Sequence, residues 1–182
     1  RGHDARVRLG AVGLLAHVLA RRAGMGYDEL VRERIGAPLG LRDTGTAIDG
    51  GRLARGHSRL GRPKPHWHFD ALAGAGALRS TAADLLAFLR LHAGEPAGPL
   101  TDAARETQIA RAHTSGLEFG LGWMLLPGSR KVPYDVLFHD GGTGGFRSAA
   151  AVSPERRVAV VVLSSQVRGL TQIGLRLLGA LG

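Results

Sequence analysis

The sequence predicts an α+β fold in which an antiparallel β-sheet is flanked by helices. Apolar residues recur at helical spacing through much of the first 110 positions. From residue 117 the pattern changes to short β-branched and aromatic runs separated by turns. The last segment, 168–181, returns to helical spacing. Hydrophobic residues make up 44% of 182, enough for one core, so the expectation is a single domain with a helical and loop region (9–110) and a strand region with a closing helix (117–182).

Taken in order, residues 9–23 place Val12, Leu15 and Leu19 on one stripe, with Leu14 and Val18 beside it, and Gly24 is a natural stop. His17 lies within this apolar helix, and a packed side chain is expected there rather than a ligand. Residues 27–36 read as a short helix with acids in the first turn and arginines in the last, ended by Pro38 and the glycines around it. Periodicity fades from 42 to 78, where a long loop anchored by Trp67 and Phe69 is expected. Thr81 followed by Asp84 has the form of a capping box for a helix with Leu85, Phe88 and Leu89 on its apolar face and Gly94 as its stop. A short helix is expected over 100–110. Strands are expected at 117–126, 134–140, 145–153 and 157–165, with Ser153-Pro154-Glu155-Arg156 as a hairpin connection. Val158 to Leu163 is continuously apolar, as in a strand covered on both faces. Leu170, Ile173, Leu177, Leu178 and Leu181 suit a helix lying across the sheet.

The formal charge is +9, and all basic residues except Lys64 and Lys131 are arginine. They are scattered singly or in pairs, with no block and no interleaved aromatics, which argues for a solvated surface and against a nucleic-acid partner. There is no cysteine, so disulfides and thiolate metal sites are excluded. His66 and His68 flank Trp67 at i, i+2, but no further ligand cluster supports them, and no metal is expected. No apolar run approaches membrane-spanning length.

The stretch with the most chemistry is HDGGTGGF, residues 139–146. A phosphate loop needs a helix and a Lys-Ser/Thr pair after its glycines, and neither follows. Two uses remain open from the residues alone. The glycines serve a tight β-turn, or they bare a strand edge whose N–H groups approach a substrate carbonyl, with His139 alongside to orient it or move a proton.

Several segments in order resemble the serine β-lactamase and penicillin-binding family, in its class C and D-Ala-D-Ala carboxypeptidase/esterase branch. They are LGAVGLLAHVLARRAG (9–24), YDELVRERIGAPLGLRDT (27–44), GAGALRSTAADLLAFL (74–89), EFGLGW (118–123), HDGGTGGFRS (139–148) and VSPERRVAVVVLSS (152–165). The resemblance implies the serine β-lactamase-like α+β fold and hydrolysis of an amide or ester carbonyl through an acyl-serine. It implies a small-molecule or peptide substrate and no cofactor, and its peptidoglycan-directed members are exported. His139-Asp140-Gly141 occupies the family's H-x-G place. By that likeness the Gly142 N–H is an oxyanion donor and His139 orients the substrate or tunes the proton relay. Asp140, Gly141, Thr143, Gly145 and Phe146 are candidate substrate contacts.

Two further family motifs have no counterpart. The positions matching Y-x-N hold Arg6, Val7 and Arg8, and Gly61 and Gly128 stand where S-x-x-K would need serine ahead of Lys64 and Lys131. The resemblance therefore implies the C-terminal portion of the fold, without the nucleophile helix and first strands. Such a chain is expected to be inactive alone, or to serve as a non-catalytic ligand- or peptide-binding module. It is also expected to leave a sheet edge uncovered and open to association.

Overall fold

In the computed structural model, residues 2–167 and 169–181 are described, with side chains from residue 10 onward; the side chains of Arg6, Val7 and Arg8 lie outside the described residues. The periodic N-terminal stretch is a helix, α1 (Gly2–Ala23), ended by Gly24 at φ 70°. Its small-residue side docks on the turn at 70–75, with Gly13 against Leu72 and Ala16 against Gly74. The apolar stripe expected to be buried is instead exposed at Val12, Leu14, Leu15, Val18 and Leu19, and His17 is exposed with it. Periodicity reports that an apolar face exists; among the described residues nothing covers this one.

Helix α2 (Tyr27–Val31) runs on through a wider turn at Arg32–Gly36 into α3 (Ala37–Leu39). Pro38 does not end it, because in the first turn of α3 no N–H is needed; Gly40 ends it at φ 67°. The long excursion carries a two-stranded ribbon, β1 (Gly56–His57) and β2 (Pro63–Lys64). Helix α4 (Ala82–His92) begins at the expected Thr81 cap, with the Asp84 N–H donating to Thr81 Oγ1 at 3.2 Å, but the Asp84 carboxylate turns elsewhere and the reciprocal half of the capping box is not made among the described residues. The Asp84 carboxylate is buried and accepts from the Asp43 N–H and Thr44 Oγ1, both at 2.8 Å, which staples the loop after α3 to α4. Helix α5 (Leu100–Thr107) follows.

Six strands then form one antiparallel meander, β3-β4-β5-β6-β7-β8. They are β3 (Ala112–Thr114), β4 (Leu117–Phe119), β5 (Met124–Leu126), β6 (Val136–Thr143), β7 (Phe146–Ser153) and β8 (Val158–Ser164). Three expectations need correction. The run 117–126 is two strands, because Gly120 donates to Trp123 O at 2.9 Å and Gly122 adopts φ 87°. Residues 112–114 add a strand that their exposed, polar sequence did not signal. The strand expected over 134–140 starts at Val136 and continues through the glycines to Thr143.

Helix α6 (Thr171–Leu181) covers one face of the sheet, where Leu170 and Leu178 meet Val136, Phe138, Ala149, Ala151 and Val160. On the other face Leu89 and Ala93 of the α4 segment, with Trp123, meet Leu137 and Val152. Strand β8 lies between α4 and α6, which explains its unbroken apolar run. Only part of the apolar pattern of α6 is buried. Ile173, Leu177 and Leu181 are exposed along one flank, whereas Gly179 on the other flank fits against the Lys131 carbonyl. The outer edge of β8 has no strand partner among the described residues.

Candidate carbonyl-binding rim

The glycines of HDGGTGGF divide into two pairs with different work. Gly144 and Gly145 form the two-residue turn between β6 and β7, closed by the Thr143–Phe146 pair. Gly145 sits at φ 83°, where a side chain is strained. A Cβ on Gly144 would fall 2.4 Å from Pro65 O and 2.7 Å from Trp67, and one on Gly145 would meet Gly56 and His57. The segment 56–67 is therefore laid directly over the bare turn, with the His57 N–H donating to Gly145 O at 3.1 Å and His66 stacked on Phe146 at 5.3 Å. Trp67 and Phe69 do anchor the long loop. Trp67 meets Gly144, half-exposed, and Phe69 lies against Gly76 beside Thr143.

Gly141 and Gly142 lie in the strand, and register decides what they offer. In an antiparallel ladder closed by a two-residue turn, the closing pair exchanges both backbone hydrogen bonds, and bonded pairs then alternate with non-bonded ones. Thr143–Phe146, Gly141–Ser148 and His139–Ala150 are thus the bonded pairs, while Gly142–Arg147 and Asp140–Ala149 are not. The N–H groups of Gly142 and Asp140 point away from β7, toward the side where β5 would pair. Strand β5 stops short, its last partnership being Met124 with Phe138. From residue 139 on, β6 overruns its neighbour, and among the described residues no strand pairs with the edge that carries the Gly142 N–H.

Alternation also sorts the side chains. His139, Gly141, Thr143 and Phe146 share the α4 face, where the position of a Gly141 Cβ is 3.4 Å from Ser148 Oγ. Asp140 and Gly142 belong to the α6 face. The Asp140 carboxylate accepts from Thr171 Oγ1 at 2.6 Å, tying the first residue of α6 to the strand. Gly145 is buried under the segment 56–57. The candidate residues therefore form one hairpin but not one cluster. His139, Gly141, Thr143 and the Gly142 N–H border the free edge, Asp140 faces α6, and Gly145 and Phe146 form the clamped tip.

Arg147 was not anticipated. Its guanidinium crosses the bare Cα of Gly142, Nη1 standing 1.3 Å from where a Cβ would be. The signal was available, since counting outward from a two-residue turn at 144–145 pairs 142 with 147.

Among the described residues no serine or threonine hydroxyl is hydrogen-bonded to a lysine, a histidine or a tyrosine; Tyr134 Oη instead donates to Leu178 O at 2.7 Å. No group of three or more metal-ligating side chains occurs among them. A cleft of about 270 Å³ between α1, α2 and the 70–75 turn, lined in part by His17, Arg21, Tyr27 and Asp70, lies on other elements than the rim. Burial, and secondarily the charge of Asp28, pushes the Tyr27 hydroxyl above its usual pKa.

The sequence profile of the beta-lactamase family matches residues 9–177. A beta-lactamase-like protein of Homo sapiens is 33% identical over 163 residues, covering 84% of this chain and 32% of that protein. A beta-lactamase of Pseudomonas fluorescens is 23% identical over 189 residues, covering 86% and 53%. The solved structure of a D-alanine carboxypeptidase from Burkholderia cenocepacia superposes with a TM-score of 0.84 at 22% identity, covering 94% of this chain and 60% of its own; that likeness is one of fold. The chain thus spans about a third to a half of the length of these curated relatives.

Proposed function

Because the chain belongs to the beta-lactamase family, we propose that it is the C-terminal part of a serine hydrolase that acts on an amide or ester carbonyl through an acyl-serine. The carbonyl is that of a β-lactam, a D-Ala peptide or an ester. The nucleophile and its proton-handling lysine and tyrosine are supplied from outside residues 1–182, which contribute the wall that holds the carbonyl. One observation supports this reading: the Gly142 N–H sits on an edge of β6 that no strand among the described residues occupies, on the strand that carries His139, and such a free N–H can serve as an oxyanion donor.

In this role Gly142 donates through its backbone N–H to the carbonyl oxygen as negative charge develops there. His139 orients the substrate from the α4 face or tunes the relay, and Gly141 and Thr143 line the approach. Asp140, Gly145 and Phe146 act one step back. Asp140 fixes the strand to α6 through Thr171, while Gly145 and Phe146 hold the turn under the loop. A donor without a nucleophile has no tetrahedral intermediate to stabilise. The described residues with no hydroxyl–base pair favour a second reading for the chain in isolation, a module that binds acyl ligands without turning them over.

Intact-protein mass spectrometry after incubation with a penicillin or a p-nitrophenyl ester tests this directly. The chain is expected to keep its unmodified mass. A stoichiometric acyl adduct on any serine or threonine would show that the nucleophile is present after all.

A further inference from the structure

We propose that the β1–β2 ribbon docks the protein on an anionic phospholipid surface, with Leu60 entering the headgroup layer and the basic side chains around it resting on the phosphates.

Between Asp49 and Asp70 the sequence holds no acidic residue and five basic ones. Arg52 pairs with Asp43. Arg55, Arg59, Arg62 and Lys64 are all exposed, and no carboxylate among the described residues pairs with them. Along the chain these four are spaced singly. The ribbon gathers them, because Gly56 pairs with Lys64 and His57 with Pro63, which folds residues 55–64 back on themselves.

The tip between the two strands carries the second half of the argument. The Gly61 N–H donates to Ser58 O at 3.0 Å and Gly61 adopts φ 78°, which puts Arg59 and Leu60 at the corners of the turn. Leu60 is 83% exposed, more than any other large apolar side chain among the described residues. A turn shaped only for water favours Asn, Asp, Ser or Gly at its corners. Leucine set between Arg59 and Arg62 instead combines an apolar anchor with cations on either side, the combination that suits an anionic lipid interface. The arginine and lysine stems are themselves apolar and let the charged heads reach phosphates while the turn settles. A nucleic acid would use the cations but leave Leu60 in water.

The ribbon is also stiff where it joins the domain. The His57 N–H donates to Gly145 O at 3.1 Å and to Ser165 O at 2.9 Å, and the Val167 N–H donates to His57 O at 3.2 Å. Gln166 Nε2 holds Arg59 O at 3.3 Å. Little backbone ordering is then left for docking to cost. The base of the ribbon lies over the Gly144–Gly145 turn, and four residues of strand reach from there to Leu60. Docking by the tip therefore holds the rim hairpin within roughly 15 Å of the lipid.

Co-sedimentation of the full chain with vesicles of phosphatidylglycerol and phosphatidylcholine in equal parts, against phosphatidylcholine alone, tests this. Binding is expected to the anionic vesicles only, and to weaken as salt is added. Arg59→Gln combined with Arg62→Gln is expected to lower the partition constant about twenty-fivefold, near fivefold for each charge removed. Arg156→Gln combined with Arg157→Gln removes the same charge at the far end of β7 and is expected to change it by less than about twofold. Leu60→Ser, at constant charge, is expected to cut vesicle binding at least about threefold while leaving retention on a single-stranded oligonucleotide unchanged. Equal losses from the two double variants would mean that net charge alone acts. Vesicle binding indifferent to Leu60→Ser would mean a general polyanion surface. Either result, or no binding to the anionic vesicles, overturns the proposal.

Discussion

Phe138→Ala is expected to destabilise the chain by about 3–5 kcal/mol, the range for removing a large aromatic from a well-packed core. Phe138 is 1% exposed and sits in the central strand of the meander, where Ala149, Ala151, Val160 and Leu178 surround it. Its small neighbours on β7 are why the loss is large. Alanines across the strand offer no side chain that can swing into the void, so the cavity stays open. Against a total stability of about 5–15 kcal/mol for an ordinary domain, the change removes a large share of it. Phe138→Leu, which keeps more of the volume, is expected to cost less than half as much. Urea unfolding followed by tryptophan fluorescence measures both, and Trp123 in the opposite core reports it. Since Phe138 immediately precedes His139, the same substitution also loosens the strand that carries the rim.

The second large effect is a loss of stability in mild acid centred on His92. This side chain is 3% exposed, its ring 4.7 Å from that of Phe88 and 4.9 Å from that of Trp123, with Gln108 Nε2 at 3.4 Å from Nδ1. Burial lowers its pKa from 6.5 to about 4, since the imidazolium would lose its water. The folded chain thus holds His92 neutral while the unfolded chain takes up a proton as the pH falls below about 6.5. The unfolded state binds more protons in that window, so stability is complete above 6.5 and falls until the folded pKa is reached near 4. Between pH 7.5 and pH 5 the expected loss is about 2 kcal/mol, and the full span is worth about 3. Asp28 adds a separate contribution lower down. Its burial raises the carboxyl pKa, but the hydrogen bonds from Thr46 and Ala47 and the charge of Arg32 together outweigh this and leave it below the usual value. The stability it lends is present above about pH 4 and lost below. His92→Gln, compared with the wild type by urea unfolding at pH 7.5 and 5, is expected to lower stability at the higher pH yet flatten the dependence between them. An unchanged dependence would place the acid sensitivity elsewhere.

Local chemistry in the sequence identified the elements well and their surroundings poorly. The Thr81 cap, Gly24 as the end of the first helix and the Ser153–Arg156 connection each depend on contacts within a few residues, and each is present. The burial of Val12, Leu15, Leu19, Ile173, Leu177 and Leu181 depends on a partner surface, which spacing cannot reveal. The break in the run 117–126 was legible in Gly120 and Gly122, but continuous hydrophobicity on either side obscured it. At the rim, the motif singled out one hairpin and left its glycines undivided. Two of them turn out to serve close packing of the 56–67 segment, a contact between residues about eighty to ninety positions apart that no local pattern encodes. The other two acquire their meaning from where β5 stops, and Arg147 acquires its own from the register that follows.

Native-state hydrogen exchange at residues 139–143 bears most directly on whether the Gly142 N–H is held open toward a substrate. The amides of His139, Gly141 and Thr143, bonded to β7, are expected to exchange at least about tenfold more slowly than those of Asp140 and Gly142. The reverse alternation, with Gly142 protected and Gly141 and Thr143 fast, would mean that the donor is turned inward to the sheet, and the carbonyl-holding edge would not exist.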